Sequence, residues 1–238
     1  DLSFDVKAGE VVGLVGVSGA GKTTLIRLVQ RLYTPERGRI LIDGMDLGLL
    51  DAHWLRRQMG VVSQDSVLFN RSVRDNIALG HPDLPMADII RAASLAGAHE
   101  FILGLPDGYD TLIGERGGSL SGGQRARIAI ARALATNPRL LLLDEATASL
   151  DYESERAIHD NLHEICANRT VFIAAHRLST LRLADRILVL EGGRLVEVGH
   201  HSALLRQGGR YRDLYRAHHI LETLPIAAPA TAMGGTHA

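Results

Sequence analysis

The chain has 238 residues, of which 46% are hydrophobic, and this suffices for one or two folded units with a sizeable core. Its 26 basic and 27 acidic residues give a formal net charge of -1 with no basic run, which argues against nucleic acid as a partner. No apolar stretch approaches the roughly 20 residues that a membrane-spanning helix needs.

The first 64 residues show strand and helix patterns in alternation. The alternating residues 2–6 and a following turn predict a strand hairpin that leads into a buried strand over 11–17. After a glycine-rich loop, the spacing predicts a helix over 22–32, a strand over 39–43, a helix over 52–59 and a buried strand over 60–64.

From Ser72 onward the strand pattern gives way to helices. Ser72 and Asp75 stand at capping-box spacing, and further helical patterns cover 86–102 and the stretch after Ser121. Strand patterns return at 139–144, 170–176 and 186–191, the last in a hairpin to 199, with helices at 151–166 and 178–183. Together these patterns predict an α/β fold with a mostly parallel sheet and an inserted helical segment.

The loop after the first buried strand matches the phosphate-binding pattern G-x-x-x-x-G-K-[ST], in the strand–loop–helix context that this motif requires. Its backbone amides would hold the β- and γ-phosphates, Lys22 would supply a cation, and the Thr23 hydroxyl would bind Mg²⁺. Lys22 is one of only two lysines among 26 basic residues. The alternative is a tight glycine turn without a ligand. The predicted nucleotide-binding residues here are Gly16, Val17, Ser18, Gly19, Ala20, Gly21, Lys22, Thr23 and Thr24.

Two carboxylates follow the run of four leucines at 140–143. A metal held at phosphates needs a carboxylate at the end of a neighbouring strand, which predicts Asp144 as the Mg²⁺ partner. Glu145 suits a general base for the water that attacks the γ-phosphate. The alternative is a solvated acidic pair that caps the turn after the strand.

The sequence LSGGQ at 120–124, with the phosphate loop before it and LLLLDEATASLD after it, resembles the signature of an ABC-transporter ATPase domain. The resemblance extends to about Arg206 and implies a P-loop NTPase (RecA-like) core with antiparallel hairpins at the sheet edge. It also implies that two such domains bind ATP head to tail, so that the signature of one meets the γ-phosphate on the other. The signature residues implied as nucleotide contacts are Ser121, Gly122, Gly123 and Gln124. The alternative is an ordinary glycine-capped helix.

Three further residues gain roles from this resemblance. Gln64 is similar to the loop glutamine that senses Mg²⁺ and the attacking water. Asp151 is similar to the aspartate that communicates between the facing sites, although it also suits a helix N-cap. His176 is similar to the switch histidine that contacts the γ-phosphate.

The resemblance also predicts a division of the chain. Residues 1–64 and 137–206 would form the core, 65–136 the helical subdomain, 207–221 a C-terminal helix and 222–238 a disordered tail. The segment GERG before the signature resembles exporters, and SLAGAHEFI and SLDYESE resemble haemolysin-type exporters of bacterial type I secretion, whose cargo is a polypeptide.

The resemblance to this family implies several partners. They are a second copy of the domain, transmembrane segments N-terminal to Asp1, and the periplasmic adaptor and outer-membrane channel of type I secretion. The expected location is the cytoplasmic face of the bacterial inner membrane.

The sequence leaves some alternatives open and argues against others. Multidrug or lipid export is an alternative to polypeptide export, and a soluble ABC ATPase is a further one. A P-loop kinase or GTPase would lack LSGGQ, and a non-hydrolytic regulatory module would not need Glu145. His159, His163 and Cys166 have helical spacing that metal ligands could use, but the adjacent apolar stripe favours a place at the flank of a core face.

Overall fold

A six-stranded sheet forms the centre of the computed structural model, which describes residues 2–63, 67–145, 152–174 and 178–223. The strands lie in the order β4-β5-β6-β1-β7-β8, and all are parallel except the edge strand β8. Their bounds are β1 Val11–Val15, β4 Met59–Val62, β5 Leu140–Asp144, β6 Thr170–Ala174, β7 Arg186–Glu191 and β8 Arg194–Gly199. A separate antiparallel pair consists of β2 Leu41–Ile42 and β3 Met45–Asp46.

Nine helices surround the sheet in the described ranges. They are α1 Lys22–Val29, α2 Ala52–Arg57, α3 Val73–Ile77, α4 Met86–Leu95, α5 His99–Leu103, α6 Gly122–Ala135, α7 Tyr152–Cys166, α8 His201–Gln207 and α9 Arg210–Thr223. Short 3-10 turns cover Gly108–Asp110, Glu115–Gly117 and Leu178–Leu183. No helix in the described part of the chain has the length and apolar character that crossing a membrane requires.

Alternating strand residues divide the interior into two cores, one on each face of the sheet. The larger core joins Val11 and Val15 of β1 to Ile128 and Ile130 of α6. The smaller core joins Val12 and Leu14 of β1 to α1 and α2. Because the central strands are buried on both faces, they form continuous apolar runs, as the sequence pattern predicts.

The predicted α/β class and the helical insertion are confirmed, since α3 to α6 separate β4 from β5 along the chain. The antiparallel hairpin at the sheet edge is also confirmed by β7 and β8. Ser72 caps α3 as its spacing predicts, because its hydroxyl accepts a hydrogen bond from the Asp75 amide at 3.0 Å.

Two local predictions are wrong, and a third is confirmed only in part. Residues 2–6 form no strand, although their exposure alternates, because alternation alone supplies no neighbouring strand to pair with. The single helix predicted over 86–102 is two helices, since Gly97 adopts a φ of +64° between α4 and α5. The predicted helix at 178–183 is present with those bounds, but it is a 3-10 helix and not an α-helix.

Candidate functional site

Three glycines shape the loop between β1 and α1. A β-carbon on Gly16 would lie 2.4 Å from the Leu190 carbonyl oxygen and 2.6 Å from the Ala20 side chain. Gly19 and Gly21 have φ values of +79° and +105°, where glycine has no steric penalty. The backbone therefore folds into a tight loop whose tip is exposed. The tip consists of Val17, Ser18 and Gly19.

The close approach at Gly16 predicts a stability loss. Gly16→Ala should destabilise the domain by about 1–3 kcal/mol, because the obstructing Leu190 oxygen belongs to the backbone of β7 and cannot rotate away. Urea denaturation would measure this, with Ser18→Ala at the exposed tip as the control. Equal unfolding midpoints for Gly16→Ala and the wild type would contradict the close packing.

The β7–β8 turn supports the loop from the other side. The Gly193 amide donates to the Ala20 carbonyl at 3.2 Å, and Gly192 and Gly193 both have positive φ. The sequence pattern predicts the hairpin but not this contact. The adjacent glycines were the available signal, but nothing local indicates which part of the chain the turn contacts.

Lys22 begins α1 and is only 8% exposed. Its Nζ donates to the Gly16 carbonyl at 2.7 Å and lies 3.4 Å from the Val17 carbonyl. A buried ammonium needs such partners. The α1 N-cap, Gly21, has no side-chain cap, so the first-turn amides keep their donors for an anion. Cation and amides thus converge at one loop, while Thr24 is exposed beside it.

Asp144 and Thr23 meet at the carboxyl end of the sheet. The Thr23 hydroxyl donates to Asp144 Oδ1 at 3.2 Å, although the two residues are 121 positions apart. Asp144 is only 6% exposed. Burial raises its pKa, and the neighbouring Glu145 adds to this, whereas the hydrogen bond from Thr23 and the charge of Lys22 lower it. This hydroxyl–carboxylate pair offers the hard oxygen ligands that Mg²⁺ prefers.

Glu145 has an unusual backbone conformation. Its φ is +53°, in the left-handed region, while its amide still donates to the Ala174 carbonyl at 2.8 Å. A non-glycine residue there costs on the order of 1 kcal/mol and occurs preferentially at functional sites. Strand β5 ends at Asp144, and Glu145 follows in the left-handed conformation. The two consecutive carboxylates therefore do not alternate from face to face as strand residues do.

The signature begins helix α6 with a complete capping box. The Gln124 amide donates to the Ser121 hydroxyl at 3.1 Å, and the Ser121 amide donates to Gln124 Oε1 at 2.9 Å. Ser121 is exposed and Gly123 is buried. In a helix of this geometry, the amides of Gly122 and Gly123 have no intrahelical acceptor. The cap of this helix is therefore Ser121 and not a glycine, as the alternative interpretation had it, and this serine is exposed at the helix N-terminus.

The helices that follow the phosphate loop and the signature lie on different faces of the sheet. Helix α1, which follows the loop, packs into the smaller core, whereas α6 packs into the larger core. Three other predicted site residues, Gln64, Asp151 and His176, lie outside the described residues.

The hypothesis that His159, His163 and Cys166 bind a metal gains no support from the structure. Cys166 is buried, and burial raises its pKa to about 11, whereas His163 is exposed. The His159 side chain lies outside the described part. Among the described residues, no group of three or more histidine, cysteine, aspartate or glutamate side chains is placed to hold a metal ion.

Known proteins are similar to this chain in sequence and in structure. The family model described as ABC transporter matches residues 1–148. The chain is 59% identical over 217 residues to the toxin RTX-I translocation ATP-binding protein of Actinobacillus pleuropneumoniae, covering 91% of this chain and 31% of that protein. It is 60% identical over 214 residues to the cyclolysin secretion/processing ATP-binding protein CyaB of Bordetella pertussis, covering 90% and 30%.

A solved structure is similar over the same length. A bacterial Atm1-family ABC exporter with ATP bound matches with a TM-score of 0.87 and 48% identity, over 91% of this chain and 38% of that one. The chain thus spans about a third of the length of these relatives. Since the family match covers more than half of its residues and includes the phosphate loop, the signature and both carboxylates, this chain belongs to the ABC transporter family.

Proposed function

We propose that this chain is the ATP-binding and ATP-hydrolysing motor domain of a bacterial ABC exporter. The observation that carries this proposal is the Thr23–Asp144 hydrogen bond of 3.2 Å. It joins the end of the phosphate loop to the end of β5, and Glu145 follows immediately in a strained conformation. Phosphoryl transfer depends on positioning and charge stabilisation at such a junction.

The residues divide the work between binding and hydrolysis. Loop amides and Lys22 hold the phosphates, and Thr23 and Asp144 hold Mg²⁺, with Gln64 as the further ligand that the family resemblance implies. When bound, Mg²⁺ neutralises charge on the phosphates. Glu145 orients the attacking water and accepts its proton. His176 contacts the γ-phosphate in this proposal.

The two faces of the sheet support a head-to-tail dimer. Since α1 and α6 pack on opposite faces, the signature of one chain is available to a second chain. Ser121, the following glycine amides and Gln124 would then complete the partner's site, and Asp151 would connect the two sites. Each dimer would hold two molecules of MgATP.

Polypeptide export is the transport function that the relatives favour. Their names refer to translocation or secretion of RTX-I toxin and cyclolysin, and the identity is about 60%. In this proposal N-terminal transmembrane domains, a periplasmic adaptor and an outer-membrane channel complete the machine at the inner membrane, with this domain on the cytoplasmic face. Multidrug or lipid export is the second candidate, as an alternative within the class of ABC exporters to which the 48% identical Atm1-family protein also belongs.

The proposal predicts that Asp144→Asn weakens Mg²⁺-dependent ATP hydrolysis. Loss of the carboxylate charge should raise the Mg²⁺ concentration needed for half-maximal activity by at least about 10-fold. Phosphate release at varied Mg²⁺ concentrations would measure this. Asp88→Asn, at an exposed ion pair on α4, is the control. Hydrolysis by the wild type in excess chelator, or an unchanged Mg²⁺ requirement, would contradict the proposed site.

A further inference from the structure

Arg132 connects the signature helix to the segment at 67–77. All three nitrogens of its guanidinium donate there: Nε to the Asn76 carbonyl at 2.8 Å, Nη2 to Asn76 Oδ1 at 3.0 Å and Nη1 to the Val67 carbonyl at 2.9 Å. The guanidinium also lies 5.7 Å from the centre of the Phe69 ring. Burial lowers the pKa of Arg132, so these oxygens stabilise a cation that is partly removed from water.

Asn76 gives this segment its shape. Its side chain is fully buried; Oδ1 accepts from the Phe69 amide at 2.8 Å, and Nδ2 donates to the carbonyls of Phe69 and Ser72 at 2.9 and 3.0 Å. Arg132 therefore binds a turn that is already organised. The planar guanidinium holds its donors in a fixed fork that matches these acceptors, whereas a lysine ammonium is a compact charge without that planar geometry.

The same segment is held near the start of the signature helix. Leu68 is buried beside Gly117, and the Ile113 amide donates to the Arg71 carbonyl at 3.1 Å. The Ser119 hydroxyl donates to the Ile113 carbonyl at 2.9 Å. The segment is thus joined to the stretch just before the signature and, through Arg132, to α6 itself.

Along the chain, Gln64 stands between two anchored residues. On one side, Val62 is paired with Leu143 in the sheet. On the other side, the carbonyl of Val67 accepts from Arg132. We propose that Arg132 is a positioning residue for ATP hydrolysis, which fixes Val67, three residues after Gln64, to the signature helix. The inference rests on the proposed function, in which Gln64 acts at the hydrolytic site.

A double-mutant cycle tests whether Arg132 acts through Gln64. Arg132→Lys keeps the charge but loses the planar fork, so kcat should fall roughly 10- to 100-fold with little change in the KM for MgATP. In a Gln64→Ala background the same substitution should lower kcat less than about twofold, because Gln64, the side chain that Arg132 is proposed to position, is then absent. Single-turnover measurements keep slow variants within range.

Arg127→Lys is the matched control on the same helix. Arg127 lies 4.7 Å from the Phe101 ring centre and donates to the Gly97 carbonyl at 2.9 Å, both outside 67–77. Its kcat should stay close to that of the wild type. An equal loss in Arg127→Lys, or an equal effect of Arg132→Lys with and without Gln64, would overturn the inference.

Phe69→Leu provides a second variant in case Arg132→Lys does not fold. It removes the ring face but keeps every hydrogen bond to Arg132, and Phe69 is largely exposed. If Phe69→Leu lowers kcat by less than Arg132→Lys does, and this loss disappears in the Gln64→Ala background, the inference is supported. An unchanged kcat in Phe69→Leu would overturn it. A wild-type chain without ATPase activity would instead overturn the proposed function.

Discussion

Glu145→Gln is expected to abolish ATP turnover while ATP binding persists. The substitution keeps the size of the side chain but removes the carboxylate that we propose acts on the attacking water, and losses of general-base catalysis are typically about 10²- to 10⁴-fold. The phosphate contacts proposed for Lys22 and its loop do not involve Glu145 and should persist. ATP retained after gel filtration with Mg²⁺ would measure binding, and phosphate release would measure turnover.

Lys22→Ala provides the contrast for this experiment. The Lys22 ammonium lies inside the loop and is hydrogen-bonded to the Gly16 carbonyl. The variant should therefore fail at the earlier step of ATP binding. The two variants should therefore differ in ATP retention although neither turns ATP over. Equal retention, or full hydrolysis by Glu145→Gln, would show that Glu145 is not the base.

Ser121→Arg is expected to block turnover through the second chain. If Ser121 completes the partner's site, a bulky cation at this exposed helix N-terminus prevents docking while the phosphate loop still binds ATP. The wild-type domain should dimerise around bound nucleotide, because a ligand that favours the dimer shifts the association equilibrium. Its ATPase rate per chain should rise with protein concentration at high dilution.

Mixing two inactive variants provides the control for this prediction. A heterodimer of Ser121→Arg and Lys22→Ala chains contains one site with an intact phosphate loop and an intact signature. Partial activity should therefore return on mixing. A specific activity that stays constant over roughly a hundredfold dilution, with an active Ser121→Arg variant, would show that each chain hydrolyses ATP alone.

The sequence by itself determined the features that depend on neighbouring residues. The phosphate loop, the buried strand before it and the helix after it follow from about 20 consecutive residues, since glycine, lysine and capping preferences act locally. The Ser72 cap and the apolar run before Asp144 were predictable for the same reason. The helix break at Gly97 was also encoded locally, but the helical periodicity on both sides concealed it.

The tertiary structure alone decided how these pieces meet. Strand order cannot be read from alternation, and residues 2–6 show that an alternating pattern without a hydrogen-bonding neighbour does not become a strand. Thr23 and Asp144 are 121 positions apart, and Arg132 and Asn76 are 56 apart, yet each pair is within hydrogen-bonding distance. Such contacts arise because parallel strands bring their carboxyl ends to one edge and buried polar groups must find partners across the core, and neither condition is written in any short stretch of residues.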